Sequence, residues 1–178
     1  FVTPRLHARY NPWEKAVLRF SAGRGKRSAN IFAENQPLLA SSRVFEILDT
    51  NGKIYGLNPE IAWNYGVSFA QKFSLFGKNA DVAFDFYRTD FQNQAVVDLM
   101  QSPQQVLFYN LKGKSIANTM QFEFNYELAK HFNLRSAYKF YDVTTDYLSG
   151  TYQNPLQAKH RFFGNLEYET HIGEKGKQ

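Results

Sequence analysis

Apolar and polar residues alternate with a period of two along much of the chain. The clearest stretch sets Met120, Phe122 and Phe124 on one face and Gln121 and Glu123 on the other. Such alternation predicts β-strands with one apolar and one polar face. Seven strands are predicted in this way, within residues 5–10, 16–22, 63–73, 81–89, 115–128, 134–140 and 161–169. Because a slip of one residue would move a charged row onto the apolar face, the pattern also specifies the register.

The connectors between these strands alternate in length. Short ones lie at residues 11–15, 77–79 and 129–133, and long ones at about 28–60, 91–112 and 147–159. Outer-membrane barrels have short periplasmic turns and long extracellular loops, whereas a soluble sandwich has no reason for this asymmetry. The pattern therefore favours an all-β, antiparallel, up-and-down transmembrane β-barrel portion. Residues 171–178 are expected to begin another periplasmic turn.

Composition agrees with strands rather than helices as the membrane-crossing elements. The mean hydropathy is −0.49, and no run approaches the roughly 20 apolar residues of a membrane helix. Aromatic residues reach 17% of the chain, and many gather near the predicted strand ends, as in interfacial girdles. With no cysteine, neither disulfides nor Cys-based zinc sites are possible. The net charge of +5 is dispersed among acids, so nucleic-acid binding is not expected.

A basic, glycine-rich segment at residues 23–28 resembles a phosphate loop only superficially. The first Gly of that motif would fall at Phe20, and Arg27 stands where Ser or Thr is required. We instead expect the glycines to ease the exit of a strand into a long loop. The candidate contacts to an anionic ligand or to lipopolysaccharide phosphates are then the loop cations Arg24, Lys26, Arg27 and Arg43. A solvated or interior-facing role for these cations is the alternative.

Nothing in the spacing of the remaining polar residues indicates catalysis. The four histidines lie in different segments without metal-ligand spacing: His7, His131, His160 and His171. Asp81 and Asp85 share a strand face and are interpreted as interior-lining residues rather than an acid/base pair. We therefore expect no enzyme activity, no metal site and no cofactor.

Several blocks of the sequence resemble the barrel region of TonB-dependent outer-membrane receptors. The resemblance rests on residues 4–30, 57–66, 86–91 and 121–141, and residues 31–35 give it the character of Bacteroidetes receptors. It implies a 22-stranded barrel closed by an N-terminal plug. The seven predicted strands would then form about a third of the barrel wall. Such receptors take up ferric siderophores, cobalamin or similar scarce ligands with energy relayed by TonB.

The resemblance also implies partners, a location and a domain assignment. Residues 1–178 would be a partial barrel in the bacterial outer membrane, with the plug domain and the final strands outside this sequence. The expected partners are outer-membrane lipid and lipopolysaccharide, the plug of the full-length chain, TonB, and a small-molecule or metal-chelate ligand. Haem receptors of this kind carry a loop histidine that residues 28–61 lack. Two alternatives stay open: a passive porin or adhesin-like barrel, and a soluble β-sandwich binding module.

Overall fold

The computed structural model of the chain describes residues 2–154 and 157–169. Its strands and helices, in chain order, are β1 (Arg5–Tyr10), β2 (Ala16–Arg27), α1 (Ile31–Glu34), α2 (Gln36–Leu39), β3 (Val44–Ile47), β4 (Glu60–Leu75), β5 (Lys78–Asn93), β6 (Ala95–Asp98), β7 (Gln105–Asn110), β8 (Ser115–Ala129), β9 (Phe132–Tyr147), β10 (Gly150–Gln153) and β11 (His160–Tyr168). No helix in this part of the chain is long and apolar enough to cross a membrane. The turn expected at residues 171–178 lies outside the described residues.

All seven predicted strands are present, as β1, β2, β4, β5, β8, β9 and β11. They form one antiparallel sheet in which each strand pairs with the next of the seven in chain order. The outer edge of β9 is shared, since β11 pairs with its first half and the short β10 with its last four residues. The up-and-down prediction is confirmed, and the sheet is not closed into a barrel by the described strands.

The register aligns apolar residues into rows that cross the whole sheet. One row consists of Tyr10, Leu18, Phe69, Phe84, Phe122, Tyr138 and Phe162. The adjacent row, on the opposite face, consists of Arg9, Arg19, Ser68, Asp85, Gln121, Lys139 and Arg161. At these two levels, each strand thus contributes an apolar residue to one face and a polar or charged residue to the other.

The apolar face is left uncovered. Phe122 is 46% exposed and Phe162 78% exposed, and most of the fully buried apolar residues lie elsewhere in the molecule. In a soluble sandwich a second sheet would cover such a face, and none does so among the described strands. A continuous uncovered apolar surface of this extent marks a contact with lipid or with another protein. The β-sandwich alternative is therefore wrong.

The strands are longer than the alternation predicted. The segment at residues 23–28, predicted as a loop exit, instead continues β2 as far as Arg27, with Gly23 paired to Asn64 and Gly25 to Ala62. The prediction that Arg24, Lys26 and Arg27 are loop residues is thus wrong. The physical reason is that strand pairing continues beyond the apolar band, where the side chains no longer alternate in polarity.

The three short turns lie together at one end of the sheet. The β4–β5 turn has only two residues, Phe76 and Gly77, with φ of +50° and +75°, as a type I′ hairpin requires. His131 in the β8–β9 turn and Lys15 before β2 also have positive φ. The long connectors lie at the other end, so the predicted asymmetry is confirmed.

Two of the long connectors fold together instead of remaining irregular. Strands β3 and β7 pair in parallel and β6 pairs with β7 antiparallel, which gives a small second sheet. Its core contains Ile31, Leu57, Val106 and Phe108. We call this unit the loop subdomain, residues 28–59 and 94–114. It holds most of the buried apolar residues of the described chain.

Candidate functional site

The end of β2 is joined to the loop subdomain by charged side chains. The Arg27 guanidinium donates from Nη2 to Glu34 Oε2 at 3.0 Å and from Nη1 to Glu34 Oε1 at 3.3 Å. Its Nε donates to the buried carboxylate of Glu60, which also accepts the backbone N–H of Ala95 at 3.2 Å. Arg27 therefore links β2, α1 and the beginning of β4, and through Glu60 the beginning of β6.

A tightly wound loop lies beside this junction. Bridges between Gly52 and Gly56 and between Ile54 and Leu57 close it. A Cβ on Gly52 would lie 2.0 Å from the carbonyl carbon of Leu57, so the backbone can approach this closely only because residue 52 has no side chain. The loop therefore holds Lys53 and Ile54 in a fixed position at its tip.

The tip is also held from the other side by an aromatic contact. The rings of Tyr55 and Phe32 meet edge to face, with centroids 5.0 Å apart. Phe32 belongs to α1, whose first turn is capped by the Asn30 side chain accepting the Ala33 N–H at 3.2 Å. The loop tip and α1 thus position each other, although both rings remain partly exposed.

A cavity of about 410 Å³ lies between the end of β2 and this loop. Its lining includes the cations Lys26, Arg27 and Lys53 and the apolar side chains of Ile54 and Leu57. The volume lies within the range of small-molecule sites. The lining has the chemistry for an anionic group set against an apolar surface.

The far side of the loop subdomain is fixed by a buried hydrogen-bond network. Tyr109 donates its hydroxyl to Asp98 Oδ2 at 2.8 Å and accepts the Leu148 N–H at 3.0 Å. Asp98 Oδ1 accepts the Met100 N–H at 2.8 Å. Burial raises the pKa of the Tyr109 hydroxyl, and the hydrogen bond to Asp98 raises it further. The network ties the β9–β10 connector to β6 and β7.

The four cations predicted from the sequence do not come together as one site. Lys26 and Arg27 line the cavity, whereas Arg24 lines a different one and donates from Nε to Gln92 Oε1 at 3.1 Å. Arg43 immediately precedes β3 and is not among the residues that line this cavity. The residues around Arg43 in the sequence do not indicate how the long connector folds, so its position relative to the cavity could not be predicted.

Sequence reasoning missed the contribution of Lys53 and Ile54. The Asn51-Gly52 pair and the Gly56 that follows Tyr55 are turn signals, and they could have located a tight loop here. They could not have shown that the loop faces β2, because that placement depends on pairing between distant connectors.

The polar face of the main sheet carries a second concentration of charge. Arg9 and Arg19 are direct cross-strand partners. So are Lys139 and Arg161, both of which lie over the Tyr141 ring, at 4.9 Å and 5.3 Å from its centroid. Within residues 2–154 and 157–169, no group of three or more His, Asp or Glu side chains could hold a metal ion.

Three comparisons with known proteins complete this description. The family model described as TonB dependent receptor-like, beta-barrel matches residues 1–175. A chain in the solved structure of the FpvAI–pyocin S2 complex superposes with a TM-score of 0.62 at 15% identity, over 95% of this chain and 20% of that one. The present chain thus spans about a fifth of the length of that structural relative, and the likeness concerns the fold. A search of the curated proteins finds no match.

Proposed function

Because the chain belongs to the TonB-dependent receptor-like β-barrel family, whose barrels lie in the bacterial outer membrane, we propose that it forms part of a receptor that takes up a scarce ligand across that membrane. The single observation that carries the proposal is the family match over residues 1–175. The uncovered rows of aromatic residues support it, since a lipid-facing barrel wall presents such a surface. The passive porin or adhesin-like barrel is thereby disfavoured.

The proposed ligand is a ferric siderophore, cobalamin or a similar molecule, captured at the long-connector end. The cavity beside Lys26, Arg27 and Lys53 supports capture there, because it combines charge with an apolar surface at the rim of the sheet. Arg24 and Arg43 are retained as weaker candidates. A Bacteroidetes source stays a prediction from the sequence.

The polar face of the main sheet would enclose a plug domain supplied by the full-length chain. Its rows carry lysines, arginines, carboxylates and amides, a mixture that suits contact with a folded polar surface. TonB would act on that plug from the periplasmic side. Both partners are therefore expected outside residues 1–178.

Outer-membrane lipid and lipopolysaccharide are the partners proposed for the apolar face. Beyond Phe86 the same face of β5 carries Arg88, which pairs with Asp90 at 3.0 Å, and the same face of β2 carries Arg24 beyond Ala22. Cations at this level would meet lipopolysaccharide phosphates at the outer edge of the membrane.

The proposal is tested by deleting the gene of the full-length receptor. We expect slower growth on one defined source among ferric siderophores, cobalamin and glycans, with normal growth on the others. A plasmid copy should restore growth only in cells with functional TonB, since active uptake needs relayed energy. Restoration in cells without TonB would identify a passive channel, and normal growth on every scarce source would contradict uptake altogether.

A further inference from the structure

Cavities follow one another along β1, β2 and β4, beginning at the one beside the loop subdomain. That cavity shares Lys26 and Arg27 with a neighbour of about 500 Å³, which adds Arg5 and Glu60. The neighbour shares Arg5 in turn with a third cavity, of about 230 Å³. Adjoining cavities thus have lining residues in common, and they form a path of neighbouring cavities along these strands.

The path continues along the sheet towards the short turns. The third cavity adds His7, which it shares with a fourth of about 660 Å³. The fourth is lined by Arg9 and Arg19 and by a single carboxylate, that of Asp85. The path reaches this level because alternation along β1 places Arg5, His7 and Arg9 on one face of the sheet. We call the four joined cavities the basic track.

Positive charge dominates the basic track. Its four cavities are lined by seven lysines and arginines and by two carboxylates, and five of these cations remain when Arg24 and Lys26, which alternate onto the opposite face of β2 from Arg19, are left out. Glu60 already accepts hydrogen bonds from Arg27 and from a backbone N–H. No ion pair in the described part of the chain involves Arg5, Arg9 or Arg19. Among the described residues, the lower half of the track is therefore lined by four arginines and one carboxylate.

The placement of Arg9 opposite Arg19 is a second indication that the track binds an anion. Like charges directly opposed on neighbouring antiparallel strands repel and destabilise the pairing. An oxyanion between two guanidinium groups would reverse that interaction, because each planar group can donate two parallel hydrogen bonds to a carboxylate or phosphate. The arrangement therefore suits an anion on the polar face of the sheet.

We propose that the basic track binds the anionic group of the transported ligand, a carboxylate or phosphate, and leads it inward along β1 and β2. This assignment of ligand class rests on the proposed uptake function. Ile54 and Leu57 at the upper end of the track would contact an apolar part of the same ligand. Arg5, Arg9 and Arg19 then act as ligand-binding residues below the loop subdomain.

The test measures the local potential of the basic track without knowledge of the ligand. Ser21 lines both lower cavities, and the described chain contains no cysteine, so Ser21→Cys places one thiol within the track. In the full-length receptor in outer membranes, its modification rates with sulfonate-bearing and trimethylammonium-bearing methanethiosulfonates are compared, each relative to a free thiol. We expect the anionic reagent to be favoured by about tenfold or more, as in a charged cleft.

Two further variants show whether the named cations cause the preference. Ala117→Cys is the matched control, because Ala117 lies on the same face and in the same row as Gly23 and Asn64 but on β8, away from the track. The thiol of Ala117→Cys should show a much smaller preference for the anionic reagent. Adding Arg5→Gln and Arg9→Gln to Ser21→Cys should bring the two rates within about twofold of each other. Equal rates at Ser21→Cys itself, or a preference that survives both substitutions, would overturn the proposal.

Protection of the thiol identifies the anion and separates this proposal from the uptake proposal. Slower modification in the presence of citrate indicates a carboxylate ligand, and slower modification with inorganic phosphate indicates a phosphate ligand. Protection by neither contradicts anion binding. A receptor that keeps the anion preference but whose deletion affects growth on no scarce source would reject the uptake function and leave the basic track standing.

Discussion

At the scale of single residues, the buried pair of Asp98 and Tyr109 fixes the loop subdomain. Both side chains are fully buried, and their hydrogen bond joins β6 to β7. The same tyrosine oxygen accepts the N–H of Leu148 from a third connector. A buried polar pair must keep its hydrogen bonds, because each lost partner leaves an unsatisfied group in a low-dielectric interior.

Removing the hydroxyl of Tyr109 should therefore loosen the loop subdomain. In Tyr109→Phe, Asp98 loses a donor and Leu148 an acceptor, at a cost of about 1–3 kcal/mol in local stability. We expect faster hydrogen exchange in residues 94–112 and 147–154 of the full-length receptor, with unchanged exchange in β4 and β5. The matched control is Tyr152→Phe, whose hydroxyl donates to Ser149 O in an exposed setting. Equal effects of the two substitutions would contradict a structural role for the buried pair.

Residue-scale prediction from the sequence was possible where local chemistry sufficed, and the ligand-binding role of the predicted cations stays a prediction. Lys26 and Arg27 were identified because a dense basic segment stands out, and both line the cavity. Lys53 was missed, since an isolated lysine in a long connector carries no signal until its loop is placed beside β2. The partners of Arg27 were equally hidden, because Glu34 and Glu60 come from segments whose folding the period-two pattern does not describe.

At the scale of elements, strand existence was predictable and strand ends were not. Alternation reveals a strand only while one face contacts an apolar environment and the other does not. Above that band β2 and β5 each remain paired with β4, yet they carry Gly23, Arg24, Arg88 and Asp90. The alternation of apolar and polar residues therefore ends before the strand does. The parallel pairing of β3 with β7 joins segments about 60 residues apart, which no local pattern can specify.

The β4–β5 hairpin offers a test of its turn chemistry. Phe76 occupies a left-handed conformation, at φ +50°, and its side chain is 90% exposed. Asn at this position suits a type I′ turn, so Phe76→Asn should relieve about 1 kcal/mol of backbone strain. We expect the full-length receptor to keep its folded, heat-modifiable form on gels to a higher temperature.

The neighbouring Gly77 provides the opposite change. Gly77 has φ +75°, and nothing lies within 4 Å of a Cβ built on it, so Gly77→Ala adds conformational strain without a steric clash. This variant should unfold at a lower temperature than the wild type. A lower unfolding temperature for Phe76→Asn would show that the exposed ring stabilises the barrel at the periplasmic headgroup level more than its backbone strain costs.

At the scale of the whole molecule, the chain is one section of a barrel wall with two chemically different faces. The apolar row from Tyr10 to Phe162 crosses all seven strands of the main sheet, and the polar row from Arg9 to Arg161 does the same on the opposite face. The sequence predicted this organisation because each strand repeats the same two-faced pattern and the connector lengths alternate. The folding of the long connectors into one subdomain over the rim was not predictable, since its core is assembled from residues 29–57 and 95–108.

The most direct test of the central claim compares neighbouring positions on β8. Spin labels are placed singly at residues 119–124 of the full-length receptor in outer-membrane lipid, and their collision rates with oxygen and with a water-soluble nickel chelate are measured. We predict that oxygen accessibility alternates with a period of two, high at Met120, Phe122 and Phe124 and low at Thr119, Gln121 and Glu123. High oxygen accessibility at Gln121 and Glu123, with preferential nickel accessibility at Phe122, would contradict the account.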